Sequence, residues 1–247
     1  MLIENKYGQV DFWPNIDGLN PKAHGLTLNH KRIGLSISGG CDSALLLFYM
    51  CKVISEEKKD VTIVPFTGID ITRPTNIWNV EEIITLMKEK FSKVNIENVV
   101  TFEYTTRTST NERCCKKEAH KEAEREMLEE GLFTIMFGGR TANPTYDEAK
   151  KHNLLEKREL ARDRENPDIS NSEFAITRLL YRPWIEVDKR WIAAEYHKNN
   201  LMDDLYPITA SCIGREDATE FFTKPCKTCW WCREKVWAFG SYDGGIK

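Results

Sequence analysis

The sequence predicts an α/β fold: a Rossmann-like parallel sheet with helices on both faces, followed by a C-terminal metal-binding module. Three observations lead there. Short apolar runs alternate with stretches of helical period, a glycine-bearing turn joins the first such run to a helix, and four of the eight cysteines crowd near the C-terminus.

Residues 1–30 hold Pro14, Gly18, Pro21 and Gly25 and read as an irregular leader packed on the domain. Residues 31–38 (KRIGLSIS) form a strand, and 42–56 a helix with Leu45, Leu46, Tyr49 and Val53 on its apolar face. A second strand follows at 61–66, then a helix over 76–91 that buries Ile77, Val80, Ile83, Ile84 and Met87. Residues 99–104 make a third strand. A charged helix over 111–130 stops at Gly131, a good residue for ending a helix because it tolerates the left-handed region. Residues 132–137 make the fourth strand, ended by Gly138-Gly139. The mixed-charge stretch 147–172, closing in Asn166-Pro167, reads as a surface insertion, either a lid or a plain solvated helix. A last helix spans 190–200. The organisation is therefore a leader (1–30), an α/β domain (31–205) and a cysteine module (206–247).

The net charge of −3 offers no basic surplus, so a long polynucleotide is not the favoured partner. No run of about 18 apolar residues and no signal-peptide pattern is present, which predicts a cytoplasmic protein with reduced or metal-bound cysteines.

Ser38-Gly39-Gly40-Cys41-Asp42-Ser43 lies where a strand hands over to a helix. Two glycines let the backbone turn tightly and approach an anion, and the helix start offers N–H groups with partial positive charge. Ser38 and Ser43 add hydroxyls; Asp42 can cap the helix or hold Mg²⁺ beside a pyrophosphate. Serine, glycine and aspartate are also ordinary turn residues, but the whole six-residue string in this context points to nucleotide binding.

Cys212, Cys226, Cys229 and Cys232 form C-x13-C-x2-C-x2-C. Two-residue gaps let thiolates converge on one tetrahedral ion, and Cys212 closes the fourth position. Four soft ligands with no open site favour structural Zn²⁺, with an iron–sulfur cluster as the rival. Trp230 and Trp231, between ligands, read as packing or shielding residues.

The loop resembles the S-G-G-x-D-S signature of the PP-loop ATP pyrophosphatases. Loop and cysteines together resemble the 7-cyano-7-deazaguanine synthase family, along with residues 182–189 (RPWIEVDK) before a helix, the Ser211-Cys212 pair and the ending at 225–233 (PCKTCWWCR). Likeness is specific over about 31–47 and 182–233 and only architectural between them. Trp184 stands where the family has Leu, and the Cys212–Cys226 gap is longer than usual.

The resemblance implies that ATP is cut between its α and β phosphates. Ile37, Ser38, Gly39, Gly40, Cys41, Asp42, Ser43, Ala44, Leu45, Leu46 and Leu47 would hold the phosphates, with the backbone of 64–68 near the adenine. Lys189 is a phosphate ligand by position, or a solvated helix-start lysine. Arg140 grips a carboxylate or phosphate, or is a plain loop arginine. The implied substrates are 7-carboxy-7-deazaguanine and ammonia, with Mg-ATP, structural Zn²⁺ and often a homodimer. The rivals are tRNA sulfur transfer, for which Cys114-Cys115 is the pair outside the knot, sulfonucleotide reduction, whose Glu-Cys-Gly motif is missing, and a nucleotide-sensing module without turnover.

Overall fold

A computed structural model describes residues 1–12, 31–70, 75–104, 135–155, 176–177, 180–214, 218–221 and 223–246. The helix expected over 111–130, with Cys114 and Cys115, and the insertion beyond 155 lie outside these residues.

Seven strands make the main sheet: β3 (Arg32–Ser36), β4 (Thr62–Asp70), β5 (Asn95–Ile96), β6 (Val100–Tyr104), β7 (Ile135–Gly138), β8 (Ile176–Thr177) and β9 (Leu180–Tyr181). Their order is β5-β4-β3-β7-β9-β8, with β6 also on β4. Every pairing is parallel except β8 with β9, an antiparallel edge. The chain runs outward from β3 through β4, then returns to the other side of β3 as β7. That reversal creates the crevice at the carboxyl ends of the strands where open α/β sheets take ligands.

Register fixes what meets there. Ser36 pairs with Phe66 on one side and with Gly138 on the other, so the segments after β3, β4 and β7 emerge together.

Helix α1 (Cys41–Glu56) is the core's centrepiece; Leu45, Leu46, Leu47, Met50 and Val53 are all fully buried. A helix apolar nearly all round must be covered nearly all round. Helix α2 (Thr75–Lys90) supplies Val80, Ile83 and Met87 to the same core.

The start of the leader is not irregular. Strands β1 (Leu2–Asn5) and β2 (Gly8–Asp11) form an antiparallel hairpin. It docks on α4 (Lys189–Lys198): Asn5 donates to the buried Glu195 carboxylate at 2.8 Å, and the Trp191 indole donates to the Gly8 carbonyl at 3.0 Å. Phe12 stacks on Trp184 at 5.4 Å between ring centres.

Helices α3 (Tyr146–Lys151) and α5 (Trp230–Phe239) pack together, and the Trp230 indole donates to the Leu154 carbonyl at 2.7 Å. The Trp237 indole donates to Glu148 at 3.0 Å. The opening of the supposed insertion is thus docked on the cysteine module. Among the described residues, no helix is long and apolar enough to cross a membrane.

Candidate nucleotide and metal site

The loop after β3 is shaped by its own serines. Ser38 N–H donates to the Ser43 hydroxyl at 3.1 Å, and that hydroxyl donates to the Gly40 carbonyl at 3.1 Å. Gly39 sits at φ +77°, in the left-handed region where a Cβ is strained. The result is a tight turn feeding the first turn of α1, whose early N–H groups and positive dipole end face the crevice.

Gly139 makes the turn possible from the other side. A Cβ there would lie 2.8 Å from Ser43 N and 2.9 Å from the Asp42 carbonyl oxygen, backbone atoms that cannot rotate away. Gly139→Ala is therefore expected to push the loop out of shape. A loss of about 1–3 kcal/mol in stability is expected, read by denaturant melts, and if the loop holds a nucleotide its affinity should fall by about 10–100-fold, read by titration. Wild-type affinity in that variant would contradict this account of the loop.

An open cleft of about 460 Å³ lies above the loop, lined among others by Ser38, Gly40, Asp42, Gly68, Lys189 and Ser211. Ile37 and Cys41 also line it. The Cys41 thiol is 1% exposed, and burial pushes its pKa up to about 11 against the pull of Lys189, so it stays protonated at neutral pH.

Ala44, Leu45, Leu46 and Leu47 do not reach the cleft. They are fully buried, because the signature string runs on into a core helix. Arg140, with Arg182, Ser38 and Ser43, lines a smaller adjoining cavity of about 190 Å³ that shares Ser36, Ser38 and Gly139 with the cleft.

Lys189 is not a solvated lysine. Asp188 caps α4 by accepting from Arg190 N–H at 2.9 Å, which turns Lys189 inward. Its ammonium is 2.5 Å from Asp42 and 3.6 Å from Glu234. Burial alone would lower its pKa, but the charges of Asp42 and Glu234 outweigh that and hold it above the ordinary lysine range. Trp184, at the position that departs from the family, is wholly buried and its indole donates to the Asp42 carbonyl at 3.3 Å.

Sequence reasoning missed Glu234, Lys235 and Asp243, all buried. Lys235 lies 2.5 Å from Asp243. Charged residues in a C-terminal tail read as solvated by default; the one available signal is that Glu234 and Lys235 follow the last cysteine within the same helix.

The four cysteines converge. The sulfurs of Cys212, Cys226, Cys229 and Cys232 all lie within 4.8 Å of one another, Cys226 and Cys232 at 4.0 Å. A tetrahedron with metal–sulfur bonds of about 2.3 Å puts its sulfurs ~3.8 Å apart. A [4Fe–4S] cube spreads its thiolates much farther, since each binds a different iron. Backbone N–H groups point at the sulfurs: Cys226 N and Gly214 N donate to Cys212 Sγ at 3.2 and 3.3 Å, and Cys229 N to Cys226 Sγ at 3.4 Å. Such donors favour the thiolates a metal requires. Trp230 is buried as a packing residue, whereas Trp231 lines the cleft.

No protein-family model matches the chain, and no curated protein matches it. Among solved structures, the chain is similar to the U34-tRNA thiolase NcsA from Methanococcus maripaludis, solved with its [4Fe-4S] cluster. Identity is 13% over 89% of this chain and 75% of that one, with a TM-score of 0.46. At that level the likeness speaks to neither substrate nor cofactor.

Proposed function

We propose that this chain is an ATP-dependent ligase of the PP-loop ATP pyrophosphatase kind, converting 7-carboxy-7-deazaguanine and ammonia into 7-cyano-7-deazaguanine. The observation that carries the reading is the Ser38–Ser43 turn, set at the topological switch point of a parallel sheet and opening on a cleft shared with the four-thiol cluster.

A carboxylate is a poor electrophile because its leaving group would be oxide. Attack of its oxygen on the α-phosphorus of ATP expels pyrophosphate and leaves an acyl adenylate. Ammonia adds at the carbonyl carbon, AMP departs, and the amide forms with release of a proton. The amide oxygen then attacks the α-phosphorus of a second ATP, expelling pyrophosphate, and loss of AMP and both amide protons gives the nitrile.

This chain's share is positioning and charge neutralisation. The loop amides of Ser38 to Ser43 cradle the phosphates, and Lys189 presents its ammonium to them. Asp42, 18% exposed and on the cleft wall, is the carboxylate suited to Mg²⁺ beside the pyrophosphate. Four soft thiolates within tetrahedral reach suit Zn²⁺, which ties the tail to the domain without an open position for chemistry. Sulfur transfer, the second reading, calls for an open cluster or a reactive thiol; Cys41 is buried and protonated, and its other candidate pair, Cys114-Cys115, lies outside the described residues.

Protein incubated with the carboxylate, ammonium and Mg-ATP should form the nitrile, detected by mass spectrometry alongside AMP and pyrophosphate. Absence of both a new base and AMP would sink the assignment.

A further inference from the structure

We propose that Asp243 and Glu234 are positioning residues that couple the metal cluster to the phosphate loop, so that order at the four thiols sets the loop's affinity for a nucleotide polyphosphate. The inference rests on the nucleotide reading of the loop given above.

Two routes connect the sites. The first is a backbone strap. Ala210 N–H donates to the Gly39 carbonyl at 2.9 Å, and a Cβ on Gly40 would lie 3.4 Å from the Ser211 hydroxyl, so 210–211 lies directly against the loop. The next residue along this strap is the metal ligand Cys212. Asp243 holds the strap in place: one carboxylate oxygen accepts both Ser211 N–H and Cys212 N–H at 2.7 Å. Lys235, 1% exposed, fixes Asp243 in turn and donates to the Thr209 hydroxyl at 3.0 Å.

The second route is ionic. Glu234 faces Lys189, which reaches Asp42 in the loop. Both routes pass through α5, whose first turn carries the ligand Cys232 and whose cap is the ligand Cys229. A bound ion pins that end of α5 and the Cys212 end of the strap to one point. Without it the four thiols are held only by weak contacts such as the Cys226 N–H on Cys212 Sγ, so the strap and the start of α5 lose their common anchor and the Ala210 N–H is no longer fixed on the Gly39 carbonyl. The coupling is a free energy shared between two sites and must therefore be reciprocal.

The test is isothermal titration of α,β-methylene-ATP with Mg²⁺ into five proteins of measured zinc content. These are zinc-loaded wild type, chelator-treated wild type, and zinc-loaded Asp243→Asn, Glu234→Gln and Lys224→Gln. Lys224, in an exposed pair with Glu220 in the same module, is the control. Wild type and Lys224→Gln should bind alike, while the stripped protein, Asp243→Asn and Glu234→Gln each lose about tenfold or more. A sixth sample, chelator-treated Asp243→Asn, should lose less than the two separate losses sum to. Zinc-loaded Asp243→Asn and Glu234→Gln binding as tightly as wild type would overturn the coupling, whether or not the stripped protein stays folded by circular dichroism. Failure of zinc-loaded wild type to bind would instead remove the nucleotide reading itself, and the coupling with it.

Discussion

Lys189→Met should lose about 3–5 kcal/mol of stability, because it removes the buried cation that Asp42 and Glu234 share. Burying an ion pair adds little net stability, but breaking one leaves an uncompensated charge in low dielectric. Glu234 is 2% exposed and has little water to turn to. On the proposed function, turnover of the folded protein should also fall, by about 10²–10³-fold, since the ammonium would neutralise developing phosphate charge. Urea melts compared with single-turnover kinetics separate the two effects. A stable Lys189→Met protein with normal turnover would mean that this lysine serves neither.

The other large effect is expected at the cluster. Cys232→Ser removes one of the four converging thiols proposed to hold Zn²⁺ and a residue that is itself buried in α5. Structural zinc sites of this kind carry an apparent binding free energy of about 10–16 kcal/mol at neutral pH, much of which is folding free energy. The variant should lose its zinc equivalent and melt well below wild type, with the tail from about 206 onward exchanging amide hydrogens first. Cobalt substitution of the wild type should give the intense visible absorption of a tetrahedral tetrathiolate. A brown protein containing iron and acid-labile sulfide would contradict the single-ion reading that the 4.8 Å sulfur envelope supports.

Several features were legible in the sequence because they are local. Strands β3, β4, β6 and β7 and helix α1 follow from the period of apolar residues, the loop from two adjacent glycines at a strand–helix junction, and the cluster from cysteine spacing. The features that escaped depend on contacts distant in sequence. The hairpin of residues 2–11 has strands of four residues and no glycine pair at its turn, so its pattern is too short to stand out. Asp243 acquires its role only because 210–212 folds back to it, and Glu234 only because α5 lies against α4. Signature matching extended the ligand-binding set too far: from Ala44 onward the helix turns its residues into the core, where shape rather than chemistry selects them. Arg140 lines a cavity that adjoins the main cleft and shares Ser36, Ser38 and Gly139 with it.

Oxygen tracing tests the central claim most directly. With both carboxylate oxygens of 7-carboxy-7-deazaguanine labelled with ¹⁸O, attack at the α-phosphorus sends one label into each AMP released, two AMP per nitrile formed. Unlabelled AMP, or ADP accompanied by labelled phosphate, would show that the substrate oxygen never bonds to the α-phosphorus.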